Sequence, residues 1–329
     1  MRTKILLASL LCFSAMGFAQ SLKTGQLANV TRLTNDSGVK YENPRFSPDG
    51  KKVAFTKLGY DGLYVANSDG TAKKQVSAAN GVGYMYQWSA DGAEILCRDT
   101  RDVRAANGFP RSHAVWTVDV ASGKATRLSQ DGAAELRPAA WRYNNQAQAS
   151  VVAAGKVVAA ARPVKMMASA NAQQKAALQR EMAKPIYKTS FVTDYDHLYV
   201  VNAAGTQKAI FNGPAFAPQL SPDGKKVAFC NMTDDIIVMN IDGTGQQNVG
   251  KGFNPVWANN RQIVVQRTTD DGHDFLTGDL FMINIADKST RQLTNTPGRI
   301  EMNPAISADG SKILFSTFDD GQIYIADLK

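Results

Sequence analysis

The stretch Pro44-Arg-Phe-Ser-Pro-Asp-Gly-Lys-Lys-Val-Ala-Phe55 returns almost letter for letter as Pro218-Gln-Leu-Ser-Pro-Asp-Gly-Lys-Lys-Val-Ala-Phe229. A unit that recurs at a spacing of tens of residues sets the architecture of the whole chain, because each copy is one supersecondary piece that buries its faces against the next. The chemistry of the unit is that of a tight turn: Pro presets φ, Asp bonds back to the backbone, and Gly takes the positive φ that closes a hairpin. Tyr86 to Cys97 and Pro304 to Phe315 are weaker copies, with Ser-Ala-Asp-Gly at their centres. In Pro138 to Asn145 and Pro255 to Asn260 an Asn-Asn pair replaces Asp-Gly, which fits because Asn tolerates the left-handed conformation next best after Gly.

After each copy comes an alternating aliphatic and aromatic strand, a small polar turn and a more polar strand: Leu63-Tyr64-Val65-Ala66 before Asp69-Gly70, and Ile236-Ile237-Val238-Met239 before Asp242-Gly243, are two examples. Four period-two strands per unit, separated by turn residues, describe a propeller blade. The sixth unit ends at Ile323-Tyr324-Ile325-Ala326 with no fourth strand, and Leu27 to Thr34 reads like the fourth strand Ser289 to Thr294 of the unit before it. The expectation is an all-β, six-bladed β-propeller over residues 20–329, closed by an N-terminal strand that completes the last blade and so removes an exposed edge. An inserted, partly helical loop is expected at about residues 154–196, with a helix over Ser169 to Lys184 that stops before Pro185.

These repeats resemble the TolB-type propeller repeat, a relative of WD40 found in bacterial periplasmic proteins, over essentially all of the chain after residue 19. The resemblance implies a propeller that works by binding other proteins of the cell envelope; the same superfamily includes peptidase propellers and a few lyases. Between Ala19 and the first blade there is room for one strand only, so the α/β domain that precedes the propeller in TolB is not expected. No Gly-x-Ser-x-Gly elbow is present, which removes the α/β-hydrolase peptidases.

Residues 1–19 read as a secretory signal peptide that is cleaved: Arg2 and Lys4, an apolar run from Ile5 to Phe13, and Gly17-Phe18-Ala19 before Gln20. Its core is too short to span a bilayer, and no other run reaches the length of a membrane helix, so a periplasmic or secreted protein without membrane insertion is expected. The formal charge of +8 includes Arg2 and Lys4 and is spread without a dense basic block, which argues against nucleic acid as a partner. Cys12 leaves with the signal; Cys97 and Cys230 fall at different repeat positions and are read as buried small hydrophobes rather than a disulfide.

In a blade, the turns after strands one and three lie on one rim, and the connections after strands two and four lie on the other. The first set is short and repetitive here, while the second carries the extra residues at Arg98 to His113, about Ala154 to Asp196, and Gln266 to Asp279. Variable loops on a rigid scaffold are where binding usually lives. Candidate partner-binding residues on that connection face are Glu42, Asn43, Glu135, Arg137, Asn254, Glu301 and Asn303 at the starts of inner strands, with His113 and His273 on the loops. The histidines stand alone, and Asp270-Asp271-Gly272-His273-Asp274 lacks the spacing of a calcium loop, so no catalytic residue, metal or cofactor is expected. The function expected is a non-enzymatic, monomeric binding or scaffold protein that recognises a segment of an envelope protein, or a glycan, through the loop-rich face. The alternative is a hydrolase or lyase acting on a peptide or glycan at the channel mouth.

Overall fold

The computed structural model describes residues 27–102, 111–128, 140–143, 148–153, 156–163, 190–193, 196–201 and 207–328, together with Ala172, Lys175 and Ala176. The N-terminal strand β1 (Ala28–Arg32) is followed by a sheet of β2 (Tyr41–Phe46), β3 (Lys52–Lys57), β4 (Asp61–Asn67) and β5 (Lys74–Ser77), hydrogen-bonded in that order. The same meander repeats in β6 (Gln87–Trp88), β7 (Glu94–Asp102), β8 (Arg111–Asp119) and β9 (Ala125–Arg127). Two three-stranded sheets follow: β10 (Ala140–Tyr143), β11 (Gln148–Ala153) and β12 (Lys156–Pro163), then β13 (Ser190–Thr193), β14 (His197–Val201) and β15 (Gln207–Asn212). Four-stranded sheets return with β16 (Phe216–Leu220), β17 (Lys226–Cys230), β18 (Asp235–Asn240) and β19 (Gln247–Lys251), and with β20 (Phe253–Asn259), β21 (Gln262–Asp270), β22 (Phe275–Asn284) and β23 (Thr290–Gln292). The last sheet holds β24 (Glu301–Ile306), β25 (Lys312–Thr317) and β26 (Ile323–Asp327), with β1 on its outer edge.

The described residues thus form seven sheets, where the repeats were read as six blades. The difference lies in residues 140–212. Two strands, β12 and β13, fall inside the stretch expected to be an inserted loop, and each pairs with its sequence neighbour to make a separate sheet. Neither is bounded by a Ser-Pro-Asp-Gly turn, and the alanines of Lys156 to Pro163 give a weak strand signature, so the repeat template passes over both. The helix expected over Ser169 to Lys184 lies almost wholly outside the described residues, as does the signal segment. No helix among the described residues is long and apolar enough to cross a membrane.

The repeated sentence folds as its chemistry requires. In Ser47-Pro-Asp49-Gly50, the Ser47 hydroxyl donates to Asp49 Oδ1 at 2.7 Å and accepts the N–H of Lys52 at 2.9 Å, while Gly50 sits at φ 70°. Ser89 with Asp91, Ser221 with Asp223 and Ser307 with Asp309 repeat the hydroxyl–carboxylate bond at 2.6 Å each. Blade contacts follow from strand periodicity. In β3, Val53 and Phe55 pack against Leu314 and Ile323 of the last sheet, whereas Ala54 packs with Ile95 and Cys97 of the next. In β17, Val227 and Phe229 meet Leu198 and Val200, and Ala228 and Cys230 meet Ile263 and Val265. Middle strands covered on both faces are apolar without alternation, as parallel sheets usually are. Cys97 and Cys230 are buried and not joined in a disulfide.

Tryptophan pins neighbouring blades together. Trp257 Nε1 donates to Gln219 O at 3.0 Å, and Trp88 Nε1 donates to Arg45 O at 3.3 Å, each from the residue before the turn serine position of one blade to the inner strand of the blade before. At the outer edge, β1 runs antiparallel to β26, with Ala28 opposite Asp327 and Arg32 opposite Tyr324. Leu33 N bonds to Ile323 O at 2.8 Å, and the buried Thr34 hydroxyl accepts Ile323 N at 2.9 Å. The expected completion of the last sheet by the N-terminal strand is therefore present in the pairing.

Candidate functional site

The inner strands β2, β16, β20 and β24 share a device at their first turn. Asn43, Ala217, Asn254 and Asn303 all have positive φ, between 47° and 54°, and the ladder to the second strand slips in register at each of these places. A bulge in the left-handed region favours Asn over other non-glycine residues. Three of the four are Asn, and each stands immediately before the repeat proline. The asparagines chosen from sequence as binding residues thus occupy positions that the backbone itself calls for.

Their amides are also spent on joining blades. Asn43 Nδ2 donates to Gly83 O in the turn that leads to β6 at 2.7 Å, and the buried Tyr86 hydroxyl lies 2.8 Å from Asn43 O and 2.7 Å from Ala54 O. Burial holds that phenol well above its ordinary pKa, so it remains a donor. Asn254 Nδ2 reaches Gln266 Oε1 at 3.2 Å and Asn303 Oδ1 at 3.3 Å; Asn303 N donates to Gln266 Oε1 at 2.7 Å, and Asn303 Nδ2 to Ser316 Oγ at 3.0 Å. Gln266 is buried on β21 and ties the last two sheets through one side chain. Sequence reasoning passed over Gln266 and Ser316, which sit in second strands where the repeat carries core residues and no polar signal marks them.

The carboxylates differ from one another. Glu42 is half-buried and accepts the Tyr60 N–H at 3.0 Å; burial raises its pKa, against the pull of the Tyr60 and Gly59 N–H groups. Glu301 is fully buried, and neither of its oxygens has a donor in hydrogen-bond geometry. The Thr296 hydroxyl beside it is equally unsatisfied. Burial first, then the charges of Asp279 and Asp319, push Glu301 up to about 7, with Thr296 and its own backbone N–H pulling the other way. Next to it, Arg299 Nη1 pairs with Asp320 at 2.7 Å, and the Tyr324 hydroxyl donates to the same carboxylate oxygen at 2.6 Å.

His273 is exposed at the β21–β22 tip, where Asp271 Oδ1 accepts the N–H groups of His273 at 2.9 Å and Asp274 at 2.8 Å. His113 lies in β8 opposite Thr100. Glu135 and Arg137 lie outside the described residues. Among the described residues, no group of three or more His, Cys, Asp or Glu side chains is arranged to hold a metal ion. The structure joins Asn254 to Asn303 by a hydrogen bond, sets Glu301 two residues before Asn303 among Thr296, Asp279 and Asp319, and leaves Glu42 and Asn43 with separate partners at the start of β2.

No protein-family model matches the chain. It is 25% identical to the protein TolB homolog of Chlorobium luteolum over 122 residues, which is 35% of this chain and 27% of that protein. It is 33% identical to the Tol-Pal system protein TolB of Alcanivorax borkumensis over 63 residues, 18% of this chain and 14% of that protein. Over these stretches the chain is similar to TolB proteins. Among solved structures, the β-propeller domain of Myceliophteria thermophila Cps50 (Swd1) superposes with a TM-score of 0.56 at 15% identity, over 92% of this chain and 99% of that one, which speaks for the fold. The TolB-like matches span about a quarter or less of the curated relatives' own length.

Proposed function

We propose that this TolB-like chain is a non-enzymatic binding protein of the periplasm or cell envelope that recognises a segment of a partner protein through its connection face. Its sheets serve as the blades of a propeller whose last blade is completed by β1. One observation carries the reading: among the exposed large apolar side chains of the described residues, Leu58, Tyr60 and Met232 lie on connections between second and third strands, Leu276 at the start of the third strand β22 just after such a connection, and Phe216 at the start of the inner strand β16. None lies on the rim of Ser-x-Asp-Gly turns. Exposed apolar side chains gathered on one face of a folded domain mark interaction surfaces, whereas scattered ones carry no meaning. The polar groups at the strand starts, Glu42 and Glu301 with Asn43, Asn254 and Asn303, rigidify that face and hold it in one shape.

Photo-crosslinking residues at Tyr60 and Met232, compared with the same residues at Lys225 and Asp69 on the turn rim, test this in cells that export the protein. Adducts from the first pair alone are expected; adducts from the turn rim alone would overturn the assignment of the face.

A further inference from the structure

One sector of the connection face combines apolar and acidic groups. Phe275 packs edge-on against Phe318 on the β25–β26 connection, with ring centroids 5.4 Å apart, and Lys40 Nζ lies 4.6 Å from the centre of the Phe318 ring. Leu276, the residue after Phe275 in β22, has 59% of its surface exposed. Around it are exposed Asp270, Asp271 and Asp274 on the β21–β22 tip and exposed Asp319 on the β25–β26 connection. The first three enter none of the ion pairs among the described residues.

The cations near the sector are already engaged within the protein. Arg299 is engaged with Asp320 and Asp319, and Arg267 lies 4.4 Å over the Phe281 ring while donating to Lys251 O. Lys40 donates to Phe318 O at 3.0 Å. Asp319 of this sector, together with Asp279, also disfavours the charged form of the buried Glu301. In a chain of net charge +8 this acidic sector is a local reversal of sign. It repels anionic lipid and nucleic acid and draws in cations.

We propose that this sector docks a basic segment of a partner protein, which lays an apolar side chain on Leu276 and the Phe275–Phe318 seam and sets lysine or arginine against Asp270, Asp271, Asp274 and Asp319. The proposal rests on the reading of the connection face as the partner-binding face and names the chemistry of what binds there. Hydrophobic contact supplies the anchor, and the rim charges set selectivity and association rate.

The test uses the full chain and three short synthetic peptides of equal length: lysine-flanked with a leucine core, lysine-flanked with a serine core, and glutamate-flanked with a leucine core. Fluorescence anisotropy is expected to show salt-sensitive binding of the first alone. The triple variant Asp270→Asn, Asp271→Asn, Asp274→Asn and the single variant Leu276→Ser are each expected to weaken it by about tenfold, with unchanged melting. Equal binding of the glutamate peptide, equal binding of the serine-core peptide, or unchanged affinity in the triple variant would overturn the proposal. Crosslinking separates the two levels: adducts at Tyr60 and Met232 but none at Leu276 would leave the binding face standing and refute this sector as its docking point.

Discussion

Replacing Glu301 by Gln is expected to stabilise the protein at pH 8 and to remove a pH dependence that the wild-type chain shows. The carboxyl is fully buried, lacks a donor for either oxygen, and faces the charges of Asp279 and Asp319, so its pKa rises from 4.5 to about 7. A folded-state pKa above the unfolded one means that the native state binds the extra proton. Stability is then fully present below about pH 4.5, falls as pH rises toward 7, and stays lower above it. At about 1.4 kcal/mol per tenfold change in proton affinity, the loss amounts to about 3 kcal/mol. For a chain of this size that is about 5 °C in melting temperature. The amide of Gln keeps the shape, can donate to the orphaned Thr296 hydroxyl, and carries no charge at any pH. Thermal melts of both proteins from pH 5 to pH 8 read the effect as a difference, which cancels the change of the same sign contributed by Glu42. A wild-type minus variant difference that stays constant across that range would refute the reasoning.

Asn303→Ala removes the bonds to Ser316 and Asn254 and puts a Cβ without a compensating amide at φ 54°; a loss of about 2 kcal/mol is expected in urea unfolding, against a smaller loss for Asn303→Gly, which keeps the conformation. Trp257→Phe leaves Gln219 O without its blade-to-blade donor and is expected to cost about 1–2 kcal/mol by the same measurement. Deleting residues 27–34 strips β1 from β26 and removes Thr34 from Ile323 N; calorimetry is expected to show a lower, still single transition, and unchanged melting would contradict the role of that strand.

The architecture was legible because its turns are written in chemistry that only one backbone accepts. Ser47, Asp49 and Gly50 carry a complete instruction for a hairpin, and the four good copies make the same bonds. Residues 140–212 were not legible in the same way, because strands such as Lys156–Pro163 are fixed by pairing with neighbours rather than by local signals. The asparagines were singled out for their place before proline, but the reason they stand there is the positive φ of a bulge, which residue type alone hints at and only the register reveals. Gln266 shows the opposite case. Its importance comes from contact with a strand nearly forty residues away, and nothing in its own surroundings in the sequence announces it.

The bond from Asn29 Nδ2 to Asp327 Oδ2, at 2.5 Å, joins positions 298 residues apart. Loop closure over that distance is among the costliest contacts the chain makes during folding, and it can form only once both strands have been made. A chain that lacked β26 would present β25 with no partner on one side, an open edge with exposed N–H and C=O groups. The pairing of β1 with β26 therefore couples two distant parts of the sequence in one sheet: until both strands are in place the sheet keeps an open edge of the kind that invites aggregation.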